Sequence, residues 1–200
     1  MDINAIVNRA INIIVKPAEE WEQVKNEDMP SRQIFLQYLL PFIILMGAAS
    51  IVGNSLFSTT MFSSFGFGYV LFSAVVNMVI SFLGVYISAY IINELAGSFD
   101  TAKNINNVFK VVIYSFTPYF VASIITGLVP QLIFIQLFGF YSFYLLWVGM
   151  NHLLSPPEDK RAGYVVVSGL IIIGVFAILS ILLNLIFSSF LFAADTYNAL

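Results

Sequence analysis

Three long stretches of the chain carry no Asp, Glu, Lys or Arg: residues 33–93, 111–157 and 164–192. A transmembrane helix needs about 20 apolar residues to cross roughly 30 Å of hydrocarbon. The first stretch therefore holds two spans, 35–57 and 69–92. Between them SLFSTTMFSSFGFGY reads as an uncharged loop at the membrane interface. The second stretch breaks once, at Gly127-Leu128-Val129-Pro130, which divides it into spans 108–128 and 130–154 with almost no loop between them. That pair is a tight helical hairpin and the centre of the chain. The last stretch is one span, 164–192, long enough to tilt.

The segment ahead of the spans has a different rhythm. Ile3, Ile6, Val7, Ala10, Ile13 and Ile14 recur at helical spacing among Asp2, Asn4, Asn8, Arg9, Asn12 and Lys16, although Ile11 blurs the face. This is too polar to span and reads as an amphipathic helix lying on the membrane surface. Pro17 restarts the chain, and Glu19, Glu20 and Glu22 suit a helix N-terminus. Trp21 reads as an interfacial anchor, apolar in its ring and polar at its N–H. Later on, Gly97 stops the second span, and Asp100 or Thr101 caps the helix that follows. Pro41 and Pro118 fall inside spans. Pro118 crowds the carbonyl of Tyr114, so a kink is expected there, with Thr117 and Ser115 placed to satisfy the loosened backbone.

The fold class is thus all-α: a polytopic membrane protein with five transmembrane helices and an N-terminal amphipathic interfacial helix. Residues 1–32 form the cytoplasmic or interfacial segment and residues 33–194 the five-span domain. Composition agrees: 60% of residues are hydrophobic and 10% charged, against about 25% charged in soluble proteins. Net charge −3 without a basic stripe excludes a nucleic-acid partner. There is no cysteine for a thiolate site, and no small-residue cleavage site marks a signal peptide.

Charge sets orientation. Arg9, Lys16, Lys25 and Arg32 precede the first span, Lys103 and Lys110 lie between the second and third, and Lys160 and Arg161 between the fourth and fifth. The remaining loops and the tail hold none. The positive-inside rule then places the N-terminus in the cytoplasm and the C-terminus outside.

Candidate chemistry is sparse. No ionisable residue falls near the middle of a span, which argues against a proton- or ion-coupled pump. No nucleophile elbow, phosphate loop, zinc-protease or dinucleotide motif occurs. No catalytic residue, metal or cofactor is expected. His152, the single histidine, reads as a headgroup-level polar residue, and a metal site there would lack partners. Glu94 is the acid nearest a span, either solvated or paired with Lys103 or Lys110. Polar and small residues do form stripes: Ser73, Asn77, Ser81, Gly84 and Ser88 in the second span, and Gly174, Ala177, Asn184 and Ser188 in the fifth. Asn77, Ser81, Asn184 and Ser188 are the candidate intramembrane contacts. They serve helix packing or line a groove for a ligand.

Five local patterns resemble the Yip family of five-span membrane proteins, first named for interaction with Ypt/Rab GTPases. They are Pro17…Trp21, Tyr38-x-x-Pro41, Asn93-x-x-x-Gly97, Tyr114-Ser-Phe-Thr-Pro118 and Tyr141…Gly149, and the likeness covers roughly residues 13–192. The resemblance implies an N-in, C-out helical bundle. The eukaryotic members look like trafficking factors with a longer cytosolic N-terminal region carrying an Asp-Leu-Tyr-Gly-Pro-like motif. This chain lacks that motif and looks more like the bacterial branch, which implies a bacterial cytoplasmic (inner) membrane. The functional expectation is a non-enzymatic membrane scaffold or interaction factor. Its partners would be membrane lipids, a second copy of the chain or another membrane protein. The alternative is a channel or permease for a neutral solute or lipid, with Asn77, Asn184, Tyr114 and Pro118 along its path.

Overall fold

The computed structural model describes residues 2–57 and 59–198, with the side chains of 59–65, 187, 188 and 190–198 outside that description. The described residues are mostly helical and hold no strand. Five helices among them are long and apolar enough to cross a membrane: Ser31–Phe57, Gly66–Phe99, Ile105–Leu128, Pro130–Leu153 and Glu158–Ile186. The third lies at the centre. Buried residues make up 67% of its most apolar window, against 22–39% for the others.

The first span contains a short helix α3 (Ser31–Ile34), a π-helical turn (Phe35–Leu39) and α4 (Leu40–Phe57). Pro41 has no N–H to offer the carbonyl of Gln37, and the wider π turn just before it absorbs the mismatch. That turn aims Tyr38 and Leu39 into the core, where both are fully buried. Helix α5 (Thr59–Leu95) carries helical backbone through most of the stretch expected as an interfacial loop. No proline interrupts that stretch. The break comes instead at Gly66, at φ 72°, which glycine adopts without a side-chain clash. Ser58 lies outside the described residues.

A 3-10 turn (Ala96–Phe99) ends the second span, and Asp100 closes it in the left-handed region. The cap of α6 (Ile105–Ser115) is Asn104, whose side chain accepts from the Asn107 N–H at 3.2 Å, rather than Asp100 or Thr101. Residues 101–103 separate the left-handed turn from Asn104, whose extended backbone starts the helix and displaces the cap. Helix α6 gives way to α7 (Thr117–Leu128) at Phe116, and Pro118 sits in the first turn of α7. The Thr117 hydroxyl donates to the Tyr114 carbonyl at 2.7 Å, so the expected backbone rescue comes from Thr117. Ser115 takes no part in it, its buried hydroxyl having no partner.

After Val129 the chain turns straight into a 3-10 segment (Pro130–Phe140) and then α8 (Tyr141–Leu153). Leu132, at φ −87° and ψ 30°, departs from helical geometry and divides this stretch, which is longer in all than the usual three or four residues. It is pinned sideways: Gln136 donates to the Thr126 hydroxyl at 2.7 Å and to Ser123 at 3.3 Å. The last helix, α9 (Glu158–Asn198), packs on α5 and α8. Tyr164 donates to the Ile92 carbonyl at 2.8 Å and stacks on Phe99. Val166, Leu170, Ile173, Ile178 and Ile181 remain exposed along its outer face, as a lipid-facing helix requires.

The N-terminal helices α1 (Ile3–Val15) and α2 (Pro17–Asn26) form a hairpin against α6, α7 and α8. Ala10 and Ile13 are buried against the bundle, while Ile3, Val7, Ile11 and Val15 stay exposed at four-residue spacing. This explains why Ile11 blurs the pattern: α1 has two apolar faces, one for protein and one outward. The Tyr141 hydroxyl donates to the Ile14 carbonyl at 3.0 Å and holds the hairpin tip. Trp21 is no surface anchor. It is fully buried, because α2 folds onto α8 and Gly149 leaves room for the indole ring.

Candidate functional site

Tyr114 is the hub where the hairpin meets the spans. Its ring lies edge-on to Trp21 (6.2 Å between centroids) and to Tyr38 (4.8 Å). The Arg9 guanidinium sits 5.6 Å from its centroid, within cation–π range. Tyr38 in turn pairs its hydroxyl with Thr117 at 2.8 Å, directly beside Pro118. On the far side of Trp21, a Cβ on residue 149 would collide with the indole ring. Seven of the positions carrying the family likeness thus serve one contact: Pro17, which starts α2, Trp21, Tyr38, Tyr114, Pro118, Tyr141 and Gly149. Pro41, Asn93 and Gly97 lie elsewhere, Pro41 beyond the π turn and the other two at the end of the second span.

Charge closes the same contact. Arg9 pairs with Glu20 at 2.7 Å and also with Glu27, and the Arg9 and Glu20 side chains are 10% and 4% exposed. Burial by itself would lower the Arg9 pKa. Tyr114, Glu27 and Glu20 outweigh it and raise the value above the ordinary arginine one. The Lys110 ammonium, also buried, donates to the Val24 carbonyl at 3.1 Å and to the Glu27 carbonyl. It caps the C-terminus of α2, where a cation meets the negative end of the helix. Two exposed ion pairs join helix ends to the loop after the second span at this end of the bundle, Lys103–Glu94 and Lys160–Asp100, each at 2.5 Å.

A second feature lies toward the other end. A cavity of about 320 Å³ opens between α4, α5, α7, the 3-10 segment and α9. Its polar lining includes Asn54, Asn77, Ser81, Ser123, Thr126 and Gln136. A mostly apolar cavity of about 400 Å³ adjoins it and shares Tyr119, Gln136, Phe176 and Ser180. Among the described residues no acidic, basic or imidazole side chain lines either one.

Of the four polar positions singled out in the sequence, Asn77 and Ser81 line the cavity. Asn184 is exposed on α9 and donates to the Ser180 carbonyl of its own helix at 2.7 Å. The Ser188 side chain lies outside the described residues. Tyr114 and Pro118 belong to the hub, so the structure does not gather Asn77, Asn184, Tyr114 and Pro118 into one path. Glu94 pairs with Lys103 and the His152 ring bonds its own helix at the Val148 carbonyl, 2.8 Å away. Among the described residues no cluster of three metal-ligating side chains forms.

Sequence reading missed both the Arg9–Glu20–Glu27 cluster and Gln136. Arg9 and Glu20 belong to two helices that each look like a solvated surface, and only their hairpin contact buries the charges. Gln136 stood alone in an apolar run. The signal that could have found it is its ten-residue distance from Thr126 across a hairpin turn at Val129. A family model described as Yip1 domain matches residues 11–193. No curated protein matches the chain, and no solved structure does.

Proposed function

The chain belongs to the Yip1 domain family, and from that premise we propose that it is a non-enzymatic membrane scaffold with a preassembled cytoplasmic head. The observation carrying this reading is the hub at Tyr114. Arg9, Trp21 and Lys110 lock the N-terminal hairpin onto the spans through buried side chains. Such a head is rigid, and its outer surface consists of α2, residues 94–104 and residues 154–163. A fixed, charged surface of this kind is suited to holding another protein. The partner is a second copy of the chain or another membrane protein.

The head belongs in the cytoplasm, with the C-terminus outside, because all eight basic residues lie in the segments at or beside it. Exposed Tyr86, Tyr90, Tyr144 and Trp147 below the head suit the aromatic belt of a bilayer surface. At that level the outward stripe Ile3, Val7, Ile11 and Val15 would rest in the headgroup region. The bacterial cytoplasmic membrane is the setting the resemblance favours.

Cysteine cross-linking tests the scaffold reading cleanly, since the chain has no cysteine of its own. Single cysteines at Lys25 and Glu158 are expected to cross-link in native membranes to one defined neighbour, at matching sites. Native mass spectrometry from lipid should give the same stoichiometry. A chain that stays monomeric in both measurements removes the reading.

A further inference from the structure

We infer that the paired cavities form a binding site for a single membrane lipid with an uncharged, hydroxyl-bearing headgroup, of the diacylglycerol type. The inference rests on how the two compartments differ and where they join, and it stands apart from the scaffold reading of the opposite end.

The first compartment is polar without being ionisable. Its amides and hydroxyls come from five elements, among them Asn54 on α4, Asn77 and Ser81 on α5, Ser123 and Thr126 on α7, Gln136 on the 3-10 segment and Ser180 on α9. In a bilayer each of these groups must find a partner or cost several kcal/mol. Most of their donors have partners within the protein. Asn77 gives its amide N–H to the Ser73 carbonyl at 2.9 Å, and Ser81 gives its hydroxyl to the Asn77 backbone carbonyl at 2.9 Å. Gln136 gives its amide N–H groups to Thr126 and Ser123, and Thr126 gives its own hydroxyl to the Ala122 carbonyl at 3.0 Å. Gln136 keeps its side-chain carbonyl oxygen, and Asn77 keeps its own together with one amide N–H. A ligand suited to this lining brings a donor, such as an alcohol. A phosphate would bring only negative oxygens and find no cation to meet it.

The second compartment is the place for a chain. Phe116, Phe140, Phe143, Ile172, Ile173 and Phe176 surround it, and Tyr119, Gln136, Phe176 and Ser180 form the seam with the polar half. Ile133, Phe140 and Ile173 on the rim are exposed on the outside of the bundle, so the opening faces lipid rather than water. Each compartment falls within the roughly 300–1,000 Å³ of small-molecule pockets. A headgroup in one and an acyl chain in the other fits the division. A water-soluble solute would leave the apolar half unused.

The test uses the full chain in nanodiscs of phosphatidylcholine. A diacylglycerol with a diazirine on its acyl chain is the probe, and a diazirine phosphatidylglycerol is run in parallel. Diacylglycerol is expected to label peptides within 116–146 and 172–180, and unlabelled diacylglycerol to compete. Asn77→Leu combined with Gln136→Leu removes the acceptors, and Ala177→Phe fills the apolar half. Each change is expected to lower labelling about tenfold, equivalent to roughly 1.4 kcal/mol of binding. Ala177→Phe keeps the polar lining intact, so it decides the matter if the double variant fails to fold. Equal labelling of the same peptides by phosphatidylglycerol overturns the inference. Labelling confined to other faces of the bundle, or unchanged in Ala177→Phe, overturns it as well.

Discussion

At the scale of single residues, Arg9 is the most consequential side chain in the head. It is a charge held away from water, satisfied by Glu20, Glu27 and the face of Tyr114. Removing one partner of a buried ion pair costs about 3–5 kcal/mol, whereas replacing both with apolar groups is often neutral. Arg9→Met should therefore lower the melting temperature of the detergent-solubilised protein strongly. Adding Glu20→Met should recover part of the loss even though a second residue has been changed. Equal or additive losses in the double variant would show that the pair is not a unit. The pH dependence has a definite sign. The Arg9 pKa is raised in the folded protein, so the stabilisation that this shift carries is present below the ordinary arginine range. It is lost only as strong alkali passes the raised value.

At the scale of elements, the bundle is built on local departures from regular helix. The π turn before Pro41 and the break at Phe116 before Pro118 each follow from where proline withholds an N–H. Close crossings depend on glycine in two distinct ways. At Gly53 an added methyl would strike the backbone carbonyls of Gly127 and Leu128, while at Gly47 it would strike only the flexible end of Met78. Gly53→Ala should thus destabilise by more than the roughly 1–3 kcal/mol typical of overpacking, and Gly47→Ala by less. Thermal unfolding of the two variants side by side checks the order. The apolar runs already show the five spans, because a bilayer demands length and greasiness that nothing else in the chain imitates. Helix type within a span is not legible in the same way. The 3-10 form of residues 130–140 is held by Gln136 reaching α7, a tertiary contact with no local signature.

At the scale of the whole molecule, the two ends differ in kind. One end joins the hairpin, the loops and all the cations into a locked head, and the other leaves an uncharged hollow open to the side. Orientation is the property that links them to the cell. A cysteine placed at Lys103 should react with an impermeant maleimide only in inside-out vesicles, and one placed at Leu56 only in intact cells. Reaction of Lys103→Cys from outside would reverse the assignment. The head was half legible in the sequence: its helices were visible, but their docking was not. Trp21 looked like a surface residue until Gly149, 128 positions later, supplied its seat. The hollow was legible only through Asn77 and Ser81, since the other walls come from residues that look isolated along the chain.

The seat at Gly149 also imposes a timetable on synthesis. The indole of Trp21 leaves the ribosome long before the fourth span does, and the hairpin has nowhere to settle in the interim. Until then the amphipathic α1 can only float on the bilayer by its outward stripe, and Lys110 waits without the carbonyls it will cap. Docking of the head therefore has to wait until the fourth span is in place.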